Sequence, residues 1–137
     1  LSAAWELNLL LREPKRFLQA VTTVSGNATS NNSIADDRSW PTVTFTLSGA
    51  GSSTFTIANT GTYQGSVSLV LNLSGYSSGS WVVDFRERTI TQDGTKRPDV
   101  YASGTWWMIE PGNNVIAYSN TTNTSSRSLT YYPAFSL

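Results

Sequence analysis

Nine side-chain carboxylates are what this chain could first bring to a reaction, and it has neither histidine nor cysteine to work with them. That composition removes a Ser–His–Asp or Cys–His nucleophile, an ordinary zinc site and an imidazole base. General acid–base chemistry would fall to carboxylates, lysines and tyrosines. Glycoside hydrolysis, which two carboxylates can carry out alone, needs them to face each other across a cleft. Asp84 with Glu87, or Asp99 with Glu110, are the pairs to consider, but their spacing does not set them apart from surface acids. Asp36 and Asp37 are adjacent and read as part of a solvated turn. There is no EF-hand spacing or repeated Asp-x-Asp for a cation. Gly49-Ala50-Gly51 lacks the lysine and following helix of a phosphate loop. No catalytic, metal-ligating or cofactor-binding residue is expected, so the chain reads as a non-enzyme without a cofactor.

The side chains with the most binding potential are aromatic, five Trp and six Tyr. An exposed ring can stack on the face of a sugar, and a ring buried at an interface can carry a large share of the binding energy. Trp40, Tyr76, Trp81, Trp106 and Trp107 are the candidate contact or glycan-stacking residues, with packing in a core as the competing reading for each. Trp106 and Trp107 are consecutive, so within a strand they point to opposite faces. The outer one of the pair is the best contact candidate, and spacing alone does not say which it is. Trp40 stands directly before Pro41 at a strand entrance.

The elements that must position these rings are strands. Ser and Thr together exceed a quarter of the residues while charged residues supply only 13 %, a balance that suits short strands and turns and suits a helical protein poorly. Val43, Phe45 and Leu47 alternate with Thr42, Thr44 and Thr46, and Phe55 and Ile57 repeat the pattern. Val67, Leu69, Leu71 and Leu73 give the longest run of period two, and Trp81, Val83 and Phe85 share a face. Asp93-Gly94 has the residue types of a type I′ hairpin. Pro111-Gly112 reads as a tight turn between strands at 106–109 and 115–118, and Pro133 ends a last strand over 127–132. About eight strands follow Trp40, which predicts an all-β fold: a two-layer antiparallel β-sandwich of jelly-roll, galectin-like or carbohydrate-module-like kind.

The predicted organisation is an N-terminal strand and turn over 1–24, an exposed loop or linker over 25–38, and a sandwich domain over 39–137. In the first part Trp5, Leu7, Leu9 and Leu11 alternate and Pro14 breaks the run. The second is rich in Asn, Ser, Thr, Ala and Asp. Formal net charge is zero, so no long-range field gathers nucleic acid or an anionic membrane. No apolar stretch approaches the roughly 18 residues that cross a bilayer as a helix. The chain starts at Leu1 and is expected to be a fragment linked to an upstream domain.

The order of several short signatures resembles the C-terminal part of the Siphoviridae-type phage distal tail (baseplate hub) family. These are Trp5 to Phe17 (WELNLLLREPKRF), Arg38 to Gly49 (RSWPTVTFTLSG), Trp81 to Ile90 (WVVDFRERTI), Ser103 to Ile116 (SGTWWMIEPGNNVI) and Thr130 to Phe135 (TYYPAF). In that family the first is an interdomain strand with an acidic-Pro-basic-aromatic turn. The fourth, an aromatic strand followed by Pro-Gly-Asn, is the most distinctive. The resemblance implies a virion structural protein at the tail tip, whose full-length form is a homo-oligomeric ring closed by an upstream β-barrel. It further implies that this sandwich lies on the periphery, meeting the tail tube, hub, fibre or receptor-binding proteins; the fragment by itself is expected to be a monomer or a weak oligomer. The alternative is a carbohydrate-binding module that recognises a cell-surface glycan through its exposed Trp and Tyr.

Overall fold

Alternation between Thr or Ser and large apolar residues dictates the architecture of the computed structural model, which describes residues 15–17, 21–32, 37–62 and 65–136. The strands run in order β1 (Lys15–Phe17), β2 (Thr22–Ser25), β3 (Ala28–Asn32), β4 (Thr42–Ser48), β5 (Phe55–Thr62), β6 (Gly65–Leu71) and β7 (Ser78–Asp84). After these come β8 (Thr89–Gln92), β9 (Thr95–Lys96), a single 3-10 turn at Pro98–Val100, β10 (Tyr101–Gly104), β11 (Gly112–Ser119), β12 (Thr124–Tyr131) and β13 (Ala134–Ser136). Among the described residues there is no α-helix, and no helix is long and apolar enough to cross a membrane.

Two antiparallel sheets form the sandwich. One has five strands in the order β10-β6-β5-β11-β3, the other six in the order β2-β12-β4-β7-β8-β9. A two-stranded ribbon of β1 and β13 stands beside them. In β4, Val43, Phe45 and Leu47 are buried while Thr44, Thr46 and Ser48 are exposed, as period two requires when one face meets the core. The rings of Phe45 and Phe55 meet edge to face across the interior, centroids 4.8 Å apart, and Phe45 also stacks on Trp81 at 6.0 Å. Ile57, Leu69, Leu71, Ile116 and Leu129 complete the interior and are fully buried. Each such side chain contributes on the order of 1.5–3 kcal/mol by leaving water. The hairpin at Asp93-Gly94 is as expected, with φ of 48° and 84° at its two central residues.

Four expectations need correction. The stretch 25–38, expected to be an exposed loop, contains β3, and Ser30 and Asn32 of that strand are buried. Their side chains are polar because polar groups await them: the hydroxyls of Ser30 and Tyr131 hydrogen-bond at 2.8 Å, and the Asn32 amide donates to the Glu110 carbonyl at 3.2 Å. Residues 106–108 are not in a strand, and Ile109 makes only an isolated bridge to Ser39. Lys15–Phe17, expected within a turn, pairs with Ala134–Ser136, and the strand expected at Trp5–Leu11 lies outside the described residues. The strand count after Trp40 exceeds eight because β9, β10 and β13 are short. β9 and β10 bury no face to mark them with period two.

Tyr118, on β11, supplies a pH test of the interior. It is 5 % exposed, and burial pushes its phenol up to about 12 from an ordinary value of 10.0, against a smaller opposing effect of Arg127. The folded state therefore keeps a proton that the unfolded state releases first. The associated stability is fully present below the unfolded pKa of 10.0 and is lost as pH rises towards about 12. In that window the wild-type chain should lose up to about 1.4 kcal/mol more stability per pH unit than Tyr118→Phe in denaturant unfolding. Parallel losses in the two proteins would show that Tyr118 ionises as freely folded as unfolded.

Candidate contact surface

Four of the described carboxylates have structural tasks. Asp84 accepts the backbone N–H groups of Arg86 and Glu87 at 3.0 and 3.1 Å and so caps the turn between β7 and β8. Asp93 accepts the Ser80 N–H at 2.9 Å. Asp99 receives the Tyr76 hydroxyl at 2.6 Å. Glu110, 4 % exposed, pairs with the Arg38 guanidinium at 3.0 Å. Among the described residues no group of three or more acids is placed to hold a metal ion.

The five aromatic candidates separate by burial. Trp81 is 0 % exposed. It lies between Phe45 and Tyr76 and donates its indole N–H to the Ser78 carbonyl at 3.1 Å, so it is a core residue. Trp107, 3 % exposed, points into the sandwich and donates to the Ile57 carbonyl at 3.2 Å. Tyr76 is half-buried, its ring edge on Trp81 at 5.2 Å and beneath the Arg97 guanidinium at 5.4 Å. Its phenol is raised above the ordinary value, first by the hydrogen bond to Asp99 and then by desolvation. Trp40 and Trp106 are half-buried and face one shallow groove.

Trp106 is thus the outer member of the pair, and the backbone explains why. The Thr105 N–H still reaches the Ser68 carbonyl of β6 at 2.8 Å. The chain then leaves the sheet, buries Trp107, and rejoins at Ile109, which exchanges two backbone hydrogen bonds with Ser39 at 2.7 and 3.0 Å. Trp106 packs edge-on against Phe85 at 5.5 Å and stacks on Tyr101 of β10 at 6.0 Å with 12° between the planes. Tyr101 is 42 % exposed, and its hydroxyl donates to the Gly104 carbonyl at 2.9 Å. Gly104 must be glycine: its φ is 100°, and a Cβ there would run into the Ser68 carbonyl of the neighbouring strand.

Two grooves flank Trp106. One, of about 240 Å³, is lined by Arg88, Thr89, Ile90, Lys96, Pro98, Tyr101 and Trp106. The other, of about 180 Å³, lies among Arg38, Trp40, Val67, Trp107 and Glu110 and is also lined by Trp106. Neither is lined by two carboxylates, so the arrangement suits contact and not acid–base chemistry.

Beneath the surface lies a polar network that sequence reading missed. Asn114 is fully buried and all four of its hydrogen-bonding positions are used. Its oxygen accepts from the Asn59 amide at 2.8 Å and the Glu110 N–H at 2.9 Å, and its nitrogen donates to the carbonyls of Glu110 at 2.9 Å and Gly112 at 3.1 Å. Asn59 in turn accepts the Val115 N–H at 3.0 Å. These amides clamp the Glu110-Pro111-Gly112 turn, and with it the end of the segment that carries Trp106. The only hint in the sequence is Asn113-Asn114 after Pro-Gly, which is equally a common turn composition.

A family model described as siphovirus-type tail component, C-terminal domain, matches residues 35–135. No curated protein matches the sequence. Among solved structures, the chain is similar to the crystal structure of the SPP1 Dit (gp 19.1) protein, described as a paradigm of the hub adsorption apparatus in phages infecting Gram-positive bacteria. The TM-score is 0.67 at 11 % identity, over 90 % of this chain and 50 % of that one. At that identity the likeness is one of fold, and the chain spans half the length of that protein. The matched stretch includes β4 to β12, with the Trp106 segment and the turn that anchors it. The chain belongs to the siphovirus-type tail component family, as its C-terminal domain, and is a constituent of the virion tail tip.

Proposed function

We propose that this sandwich is a peripheral domain of the tail tip that holds a neighbouring tail protein, a tail fibre or receptor-binding protein, through the surface centred on Trp106. The observation that carries the reading is the placement of that ring. It is half-buried, packed on Phe85 and Tyr101, and lines two grooves that also carry charged residues. A rigid aromatic ring beside a pocket is the usual anchor of a protein interface.

A glycan platform finds less support, because Trp81 and Trp107 are buried and the Tyr76 ring lies between Trp81 and Arg97. The proposed role is structural. The 137-residue chain is expected to be a monomer of 14.9 kDa in light scattering, and a stable hexamer would place a ring interface in this domain.

Binding of the chain to the purified fibre and receptor-binding proteins of its own virion tests the reading. Trp106→Ala should weaken the complex at least about tenfold, and Tyr101→Ala several-fold. Glycan binding that depends on Trp106, with no tail protein bound, would overturn it.

A further inference from the structure

The groove of about 240 Å³ lies where both sheets end. β10 is the edge of the five-stranded sheet, β9 is the edge of the six-stranded sheet, and the Pro98–Val100 turn joins the two. Among the described residues β10 pairs with β6 alone, and all four of its residues are exposed. An edge strand of this kind offers backbone groups to an incoming strand. The floor of the groove is apolar, made by Ile90, Pro98, Tyr101 and Trp106, and its rim carries Arg88 and Lys96 with no carboxylate in the lining. Among the described residues neither cation has an ion-pair partner.

Size and charge together select an occupant. A volume of about 240 Å³ is ample for one side chain. Two cations without a counter-charge favour an acidic neighbour to that side chain. Arg88 closes the turn between β7 and β8 at a φ of 56°, a left-handed conformation that glycine takes without steric penalty.

We propose that this groove seats an extended acidic segment of the partner tail protein. The segment lies along the β10 edge, places one apolar side chain against Tyr101 and Trp106, and sets a carboxylate between Arg88 and Lys96. The proposal rests on the docking role given above and identifies its partner chemistry.

The test is an array of overlapping short segments from the tail proteins of the same virion, probed with the labelled 137-residue chain. The bound segments should carry Asp or Glu next to an aromatic or large aliphatic residue, and binding should fall as salt is raised. Arg88→Gly relieves the backbone while it removes the charge, so it should leave the melting temperature unchanged or higher and still weaken binding about tenfold. Lys96→Gln should act in the same direction, and Trp106→Ala should abolish the signal. Bound segments that are basic or uncharged, or binding that survives Arg88→Gly and Lys96→Gln together, would overturn the proposal. A whole tail protein that binds equally to wild type and to the Arg88 and Lys96 variants, but not to Trp106→Ala, leaves the docking role standing and removes this groove from it. If no tail protein and no segment binds, both fall.

Discussion

Trp81→Ala is expected to lower the melting temperature by about 10–20 °C while leaving partner contact intact in whatever fraction remains folded. The ring is fully buried between Phe45 and Tyr76 and ties its indole N–H to the Ser78 carbonyl. Truncation removes the ring contacts with Phe45 and Tyr76 in the middle of the six-stranded sheet and leaves a cavity that rigid sheets cannot close. Large-to-small changes of this kind cost about 3–5 kcal/mol, a large part of the roughly 5–15 kcal/mol that holds a domain together. Trp81→Phe keeps a ring on Phe45 and should lose well under half as much. Scanning calorimetry of the two variants decides the matter. A Trp81→Ala chain as stable as wild type but deficient in binding would return this residue to the contact surface.

Asn114→Ala should cost about 3 kcal/mol for a different reason. No large volume is lost. The substitution strands the Asn59 amide and the Glu110 N–H inside the protein, and each buried donor left unpaired costs about 1–3 kcal/mol. Asn114→Asp tests the same network by charge. It keeps the accepting oxygen but sets a second oxygen against the carbonyls of Glu110 and Gly112, where the amide nitrogen now donates. It should be at least as damaging as alanine despite its near-identical shape. Because these bonds clamp the turn that ends the Trp106 segment, both variants should also raise hydrogen exchange across residues 105–112 before the sheets open. If exchange there is unchanged while global stability falls, the network supports the sandwich but not the surface.

These two residues mark what was legible in the sequence and what was not. Trp81 could be assigned to a strand from its spacing with Val83 and Phe85, and its strand is where that spacing puts it. Its burial could not be read, since a tryptophan at a strand position serves a core and a platform equally well. The period-two runs in β4, β5 and β6 were plain because apolar and hydroxyl side chains divide between two faces. β3 was not, because its inward residues Ser30 and Asn32 are polar and their partners Tyr131 and Glu110 lie about a hundred and about eighty residues away. Asn59 and Asn114 meet across fifty-five residues of sequence, so the amide network shows only once the strands are paired. Trp107 is buried and Trp106 half-buried, but not because they alternate in a strand: both rings pack on Phe85. The backbone leaves the ladder at that point and each ring takes its place from the local path.

The most direct measurement is hydrogen exchange on the 137-residue chain, alone and mixed with the tail-fibre or receptor-binding protein of the same virion. A docking domain with its contact surface at Trp106 should gain protection over residues 85–90 and 101–108, including the outward N–H groups of β10, with the opposite sheet edge at β2 unchanged. Protection confined to β2 and β3, or none with any tail protein at saturating concentration, would contradict that surface and the role assigned to it.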